Sequence, residues 1–191
     1  LSKVPFVVLL SSIGAHITEG IGIISQLTWL EDGFKPLASQ IGVVSVRPGA
    51  FMTNFLEVLP IVKEQSILPS MIKPELPVPT IAPADIGRIC ANFLVGDKAP
   101  GMRIIETIGP VDLTNDEAAK VFSKVLGREV QSSFVPPEQH VAILEQNMSH
   151  LGAVLMSEYL KSVNDGILVR DPSAEVVRGT LTLDDFLTEH L

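Results

Sequence analysis

The fold is decided by the stretch Val4-Pro5-Phe6-Val7-Val8-Leu9-Leu10, an apolar run that ends in Ser11-Ser12-Ile13-Gly14. A run without alternating polar residues predicts a strand that is buried on both faces, as in the middle of a parallel sheet. Such a strand needs a neighbour on each side, and no glycine-rich phosphate-binding loop precedes it in the sequence. We therefore expect the sequence to be the back half of a larger α/β domain.

The residues that follow predict a helix and then a second strand. Apolar residues recur at helical spacing over residues 25–39, with a break near Pro36, and a β-branched run covers residues 41–46. This strand stops at Arg47-Pro48-Gly49, because proline and glycine force a turn out of the sheet. A strand, a helix and a further strand form a crossover unit whose strands are parallel. Residues 102–108 predict a third strand.

The other segments carry signals of their own. Residues 50–63 predict a helix that Pro60 bends or ends, and residues 66–83 contain five prolines, which indicates a surface loop or flap. Thr114-Asn115-Asp116-Glu117 is a capping box at the start of a helix that Gly127 ends. Helices are also predicted over residues 83–95, 136–149, 151–163 and 180–190, and a short strand over residues 129–135.

This pattern predicts the α/β class and two regions. Residues 1–110 are expected to form the C-terminal part of a doubly wound, Rossmann-type parallel sheet, the architecture that binds nucleotides. Residues 111–191 are expected to form a smaller, mostly helical cap. Ligands of such proteins bind where the carboxyl edge of the sheet meets the appended part.

Composition excludes several classes of protein. The net charge is −8 over 191 residues, so a nucleic-acid backbone would be repelled. Cys90 is the only cysteine, which excludes an internal disulfide and fits the cytoplasm. No apolar stretch approaches the length of about 20 residues that a membrane-spanning helix needs. The high apolar content, 46%, suggests an interface, such as a homo-oligomer or association through the open edge of the sheet.

Two segments are the best candidates for a ligand site. Ser11 and Ser12 follow the first strand, and Arg47-Pro48-Gly49 follows the second, so both segments should open onto the same crevice. Glycine lets a planar ligand approach the backbone, and arginine can hold a carboxylate or a phosphate. The alternatives are that the serines only cap a turn and that Arg47 pairs with an acidic side chain.

The histidines give weaker signals. His16, just past the serines, could donate a proton near neutral pH, although a lone loop histidine is more often solvated. His140 and His150 are ten residues apart without a carboxylate or cysteine at ligand spacing, so we expect no metal site. The Gly-x-Ser-x-Gly elbow of serine hydrolases does not occur in the sequence.

Several short motifs together resemble one known family. They are Ser11-Ser12-Ile13-Gly14-Ala15-His16, Glu31, the run from Arg47 to Asn54, Asp85-Ile86-Gly87 and Asn164-Asp165-Gly166. Their order and spacing are similar to those of the NmrA-like family, which belongs to the atypical short-chain dehydrogenase/reductases. The resemblance implies a Rossmann-type domain that binds NADP or NAD, with NADP favoured. It also implies either a reductase of quinones, azo compounds or similar acceptors, or a redox sensor without turnover.

The resemblance also implies roles for individual residues. Ser11, Ser12 and Gly14 would flank the nicotinamide, and residues 79–83 would form a flap. The far wall would consist of Arg47, Pro48, Gly49 and Phe51. The apolar surface for a flat acceptor would come from Ile13, Phe51, Met52 and Phe55.

The sequence departs from the family pattern in two ways. It lacks the family's Gly-x-x-Gly-x-x-Gly loop, which holds the pyrophosphate, so we expect weak nucleotide binding or none. It also lacks the Tyr-x-x-x-Lys pair of conventional short-chain dehydrogenases, because the corresponding helix reads Leu27-Thr28-Trp29-Leu30-Glu31 and Tyr159 has no lysine four residues later. Three hypotheses stay open: a nicotinamide-dependent reductase, a non-catalytic nucleotide-sensing or protein-binding module, and an inactive fragment.

Overall fold

A four-stranded parallel sheet forms the centre of the fold, and its strands lie in the order Phe6–Leu10, Gly42–Pro48, Gly101–Ile108 and Glu175–Arg178. The computed structural model describes residues 4–191. The strands are β1 (Phe6–Leu10), β2 (Gly42–Pro48), β3 (Ala50–Phe51), β4 (Ile67–Ser70), β5 (Val78–Ile81), β6 (Gly101–Ile108), β7 (Asp112–Leu113), β8 (Gln131–Phe134) and β9 (Glu175–Arg178). The helices are α1 (Ser25–Phe34), α2 (Asn54–Glu57), α3 (Leu59–Gln65), α4 (Pro83–Val95), α5 (Asn115–Leu126), α6 (Pro137–Leu144), α7 (His150–Asn164) and α8 (Leu183–His190).

Helices cover both faces of this sheet. On one face, Cys90 and Phe93 of α4 pack against Val44, Val46 and Ile105. On the other face, α1 places Glu31 against Ser45 of β2 and against Ser11, the residue after β1. The prediction of an α/β fold with a parallel, doubly wound sheet is therefore confirmed. Pro36 follows the end of α1 and lies in a short 3₁₀ helix, Lys35–Ser39, as the predicted break required.

Strand β1 lies at one edge of the sheet. It pairs with β2, with Leu9 opposite Ser45, and within residues 4–191 its other edge has no partner. Leu9 is buried, but Leu10 is 50% exposed and Phe6 is only partly buried. The prediction that this strand is buried on both faces is therefore wrong for residues 4–191.

Residues 50–83 contain two short helices, α2 and α3, where a helix was predicted, and three short strands, β3, β4 and β5, that were not predicted. Ala50–Phe51 is β3, and Pro60 lies in the first turn of α3, where its missing N–H costs no helical bond. The proline-rich segment contains β4, which pairs with β8, and β5, which pairs with β3 and β7. Each of these ladders has at most four residue pairs, so a proline removes few hydrogen bonds.

Residues 111–191 follow the predicted signals closely and add two short strands, β7 and β9. Thr114 and Glu117 form the capping box of α5, and Gly127 ends that helix in the left-handed conformation. Thr182 caps α8 in the same way. Strand β9 was not predicted, and it completes the main sheet beside β6. The division at residue 110 into a sheet domain and a cap stays a prediction.

The composition also led to expectations about membrane helices, metal sites and the cysteine. Over residues 4–191, no helix combines the length and the apolar character that crossing a membrane requires. The same part of the chain has no cluster of three or more His, Cys, Asp or Glu side chains that could hold a metal ion. Cys90 is half-buried in α4, and burial raises the pKa of its thiol.

Candidate functional site

The two predicted site segments lie side by side at the carboxyl edge of the sheet. The N–H of Ser11 donates to the carbonyl of Val46 at 2.7 Å, and the N–H of Ile13 donates to the carbonyl of Pro48 at 3.1 Å. Gly49 in turn donates to the carbonyl of Thr107, past the middle of β6. Parallel strands have their carboxyl ends at the same edge of a sheet, so the predicted topology accounts for the contact between these two segments.

Beneath this edge, Glu31 is the centre of a buried polar network. Its Oε1 accepts hydrogen bonds from the hydroxyls of Ser11 and Ser45, each at 2.6 Å, and from Nε of Arg47 at 2.9 Å. Its Oε2 accepts from Nη2 of Arg47 at 2.6 Å. The carboxylate of Glu31, in α1, thereby holds Ser45 and Arg47 of β2 and Ser11 at the end of β1.

The network continues to the loop before β9. Nη1 of Arg47 donates to Oδ2 of Asp171 at 2.9 Å, and the N–H of Asp171 donates to Glu106 at 2.7 Å. Nε of Arg170 reaches the other oxygen of Glu106 at 3.2 Å. Each nitrogen of the Arg47 guanidinium therefore has a carboxylate partner. The structure shows the alternative raised from the sequence, in which Arg47 pairs with acidic side chains.

The charges of this network are stabilised in their ionised forms. Burial by itself raises the pKa of Glu31, but hydrogen bonds from Arg47, Ser11 and Ser45 outweigh it and lower that pKa below its ordinary value. Burial acts to lower the pKa of Arg47, and its bonds to Glu31 and Asp171 raise it overall. Hydrogen bonds from Ser173 and Arg47 lower the pKa of Asp171. The network thus consists of charged groups that hold one another.

An apolar cavity lies beside this edge, and we call it the carboxyl-edge pocket. It encloses about 170 Å³ between β3, α2, β4, β5 and β7. It is lined by Ala50, Phe51, Asn54, Phe55, Val58, Pro69, Ser70, Ile72, Leu76, Val78, Thr80, Leu113, Thr114 and Asn115. None of these lining residues is ionisable.

The structure brings two of the predicted acceptor residues to this pocket and leaves two away from it. Phe51 and Phe55 line the wall, and the ring of Phe55 also meets Phe122 edge-on with centroids 5.9 Å apart. Met52, 1% exposed, packs in the core between α3, α5 and α8. Ile13 is likewise buried and outside the pocket lining. In this conformation neither of these two offers a surface to a ligand.

Ser12 and His16 lie on the same loop but in different surroundings. The hydroxyl of Ser12 is half-buried and donates to the carbonyl of Ile13 at 3.0 Å. His16 borders a separate groove of about 410 Å³, together with Glu31, Arg47 and Asp171. Its Nδ1 is buried and has no hydrogen-bond partner among the described residues. The structure thus separates His16 from the carboxyl-edge pocket.

Glycines 14 and 49 are required by close contacts within the chain. Gly14 has φ +89°, and a Cβ there would lie 2.9 Å from Leu168. A Cβ on Gly49 would lie 2.3 Å from the carbonyl oxygen of Pro79. The room beside Gly49 is therefore filled by β5. The assignment of residues 79–83 to a flap is wrong, because Thr80, Ile81 and Ala82 are buried.

Several residues around these sites were missed from the sequence. Asp171 contacts Arg47 across 124 positions of sequence, and no local pattern marks it. Ile72 and Leu76 come from a loop and Leu113 from β7, so each reaches the pocket only through the folding of a distant segment. Asn164, singled out only as part of a motif, bonds to that same loop.

Comparison with known families gives a match to the model of the NmrA-like family over residues 38–180. The match covers most of the chain, including β2, the pocket-forming segments and Asp171. This chain belongs to the NmrA-like family. Comparison with curated protein sequences gives no significant match.

Solved structures resemble this NmrA-like chain in fold. An NADPH-dependent quinone oxidoreductase from Escherichia coli is 18% identical, with a TM-score of 0.74 over 98% of this chain and 68% of its own. A triphenylmethane reductase from Citrobacter sp., complexed with NADP(H), is 14% identical, with a TM-score of 0.76 over 98% and 66%. A nucleoside-diphosphate-sugar epimerase from Staphylococcus aureus is 16% identical, with a TM-score of 0.72 over 98% and 66%. The chain spans about two thirds of the length of these structures.

Proposed function

We propose that this NmrA-like chain is part of an NAD(P)H-dependent oxidoreductase that reduces a flat, uncharged, quinone-like acceptor in the carboxyl-edge pocket. The observation that carries the proposal is an apolar pocket whose lining begins with Ala50 and Phe51, just after β2 ends at the edge where open α/β sheets bind their ligands. Family membership supports it, as do the NADPH complex of the E. coli quinone oxidoreductase and the NADP(H) complex of the triphenylmethane reductase.

The lining of the pocket supports an uncharged aromatic acceptor. Phe51 and Phe55 present aromatic rings, and the other lining residues are aliphatic or neutral polar. An ionised carboxylate or sulfonate would lose its hydration here without gaining an opposite charge, which makes its binding unfavourable. A volume of about 170 Å³ suits one small ring system, because pockets for larger ligands are about 300–1,000 Å³.

We propose that the nicotinamide end of a dinucleotide lies at the end of β1. Ser11, Ser12 and Gly14 lie at the strand end where the resemblance places the nicotinamide, and Ser12 keeps a half-buried hydroxyl there. The sequence contains no Gly-x-x-Gly-x-x-Gly loop, which is the segment that would bind the pyrophosphate. When bound, a reduced nicotinamide supplies a hydride to its acceptor. Arg47 and Glu31 would act as positioning residues that hold Ser11 in place.

The second hydrogen of a reduced quinone arrives as a proton. Tyr159, the only tyrosine, is in α7 outside the pocket lining, and burial raises the pKa of its phenol. His16 faces the separate groove. We therefore propose that water protonates the hydroquinone anion that hydride transfer leaves. This phenolate-type anion is a much weaker base than the alkoxide formed from a simple ketone, so it needs no side-chain acid.

A non-catalytic nucleotide sensor is the second candidate function. The guanidinium of Arg47 is bound to Glu31 and Asp171, so it has no free face for a phosphate. Such a network suits a rigid scaffold as well as an enzyme. In either case we propose a cytoplasmic protein that uses the free edge of β1 for association.

Titration and turnover separate these possibilities. Calorimetry measures the binding of NADPH and of NADH, each titrated separately into the chain. The loss of NADPH absorbance then measures turnover with a naphthoquinone as acceptor. Turnover that depends on the naphthoquinone supports the reductase. Saturable binding of NADPH without turnover supports the sensor. If neither nucleotide nor naphthoquinone binds, the chain is an inactive fragment and the proposed function fails.

A further inference from the structure

One wall of the carboxyl-edge pocket is a loop that is fastened from outside the pocket. This loop, residues 71–77, connects β4 to β5 and contributes Ile72 and Leu76 to the lining. Phe51 and Phe55, which also line the pocket, belong to β3 and α2. The width of the pocket therefore depends on where the loop is held relative to two other elements.

Asn164, the last residue of α7, holds this loop. Its Oδ1 accepts from the N–H of Lys73 at 2.8 Å, and its Nδ2 donates to the carbonyl of Met71 at 2.9 Å. The Nζ of Lys73 also donates to the backbone carbonyl of Asn164 at 3.1 Å. Asn164 is 7% exposed, so these bonds are shielded from water. One side-chain amide thus satisfies both a donor and an acceptor of the loop backbone.

Few other bonds fix the loop. The hydroxyl of Ser70 receives the N–H of Ile72 at 3.0 Å and shapes the start of the loop, and the N–H of Leu76 donates to the carbonyl of Lys73 within the loop itself. Neither of these contacts ties the loop to another element. Among the hydrogen bonds of the described chain, those of Asn164 are the ones that fasten the loop to a helix.

We propose that Asn164 is a positioning residue for the acceptor, which sets the width of the carboxyl-edge pocket by fixing loop 71–77 through its side-chain amide. The inference rests on the proposed function, because it concerns the same pocket. Loss of the amide frees Ile72 and Leu76 to move outward. A small, flat acceptor then loses contact with one wall, whereas a wider acceptor loses less. Asn164 therefore determines selectivity by size.

The test compares two acceptors and one amide proton. Calorimetry measures the binding of a two-ring naphthoquinone and a three-ring anthraquinone, and hydrogen exchange by NMR measures the opening of the Lys73 N–H. For Asn164→Ala we expect roughly tenfold weaker binding of naphthoquinone and roughly tenfold faster exchange at Lys73. The ratio of the two affinities shifts toward anthraquinone. Where turnover is measurable, KM for naphthoquinone rises and kcat stays near its original value.

Two further variants control for general loss of structure. Lys161→Met, on the same helix, removes an exposed ion pair with Asp165 and leaves the loop bonds intact, so it should behave like the unmodified chain. Asn164→Asp keeps an acceptor for the N–H of Lys73 and loses the donor to Met71. It should therefore shift the affinity ratio toward anthraquinone with little change in the exchange at Lys73, which keeps the test available if Asn164→Ala does not fold.

The outcomes separate this inference from the proposed function. If naphthoquinone binds the unmodified chain and both Asn164 variants keep its affinity ratio and its Lys73 exchange, the positioning role is overturned and the proposed pocket stands. If no quinone binds the unmodified chain, the proposed function fails and the positioning role fails with it, whatever the exchange at Lys73 shows. A shift in the ratio in either variant, with faster exchange at Lys73 in Asn164→Ala, supports the inference.

Discussion

Arg47 and Glu31 form a two-bond ion pair inside the fold, with Nε to Oε1 at 2.9 Å and Nη2 to Oε2 at 2.6 Å. Their side chains are 4% and 3% exposed. The pair joins the carboxyl end of β2 to α1 and, through Asp171, to the segment before β9. The buried ion pairs of Arg47 with Glu31 and Asp171 therefore fix the strand end that carries the candidate site.

Removing one partner of this pair should strongly destabilise the protein. In Arg47→Met the carboxylate of Glu31 stays buried without its cation, and we expect a loss of about 3–5 kcal/mol in the free energy of unfolding, measured by urea denaturation. Lys35→Met is the matched control, because Lys35 and Asp32 form an exposed pair worth less than about 1 kcal/mol. Equal losses in the two variants would show that burial of the Arg47 pair is unimportant.

The buried carboxylate of Glu31 should make the stability of the protein depend on pH. The pKa of folded Glu31 lies below its ordinary value of 4.5, so Glu31 contributes stability above that pH. This contribution is lost as the pH falls through the lower, folded pKa, because the unfolded chain then takes up a proton more readily. Below about pH 4.5 we expect the free energy of unfolding to fall less steeply in Glu31→Gln than in the original protein. Parallel curves from denaturation at each pH would contradict this assignment.

The contact between Gly49 and β5 predicts a steric effect. In Gly49→Ala the new methyl group would lie 2.3 Å from the carbonyl oxygen of Pro79, so the two segments must separate. We expect a loss of about 2–3 kcal/mol in thermal or urea unfolding. Gly87→Ala serves as the comparison, because Gly87 lies in α4 with no atom within 4 Å of the place that an added methyl group would take, and alanine should add about 0.5–1 kcal/mol there. Equal effects at both positions would remove the steric explanation.

Filling the carboxyl-edge pocket should block the acceptor. Leu76→Trp adds a large ring to a wall of a cavity of about 170 Å³, and we expect naphthoquinone binding to weaken at least tenfold by calorimetry. The free energy of unfolding should change by less than about 1 kcal/mol, because Leu76 is on a partly exposed loop. Val111→Trp, at an exposed position outside the pocket lining, should leave binding unchanged. Undiminished binding to Leu76→Trp would place the acceptor elsewhere.

Local signals in the sequence predicted the elements that depend on local chemistry. The capping box of Thr114 and Glu117 stabilises α5 within four residues of chain, and Pro83 begins α4 because its ring already has a helical φ. The β-branched run of β2 likewise predicted the central strand. By contrast, β4 takes its conformation from β8, more than sixty residues later, and β9 takes its conformation from β6. Neither short strand carries a decisive pattern of its own.

The sequence by itself determined that strands β1 and β2 are parallel and that Ser11 and Arg47 therefore lie at the same edge of the sheet. A strand, a helix and a further strand form a crossover connection, which makes the two strands parallel. Only the tertiary structure decided which groups surround them. Glu31, Asp171 and Asn164 acquire their partners when segments far apart in the chain pack together. Spacing along the chain encodes periodicity and turns, whereas a buried charge or amide finds its partner through the packing of the whole fold.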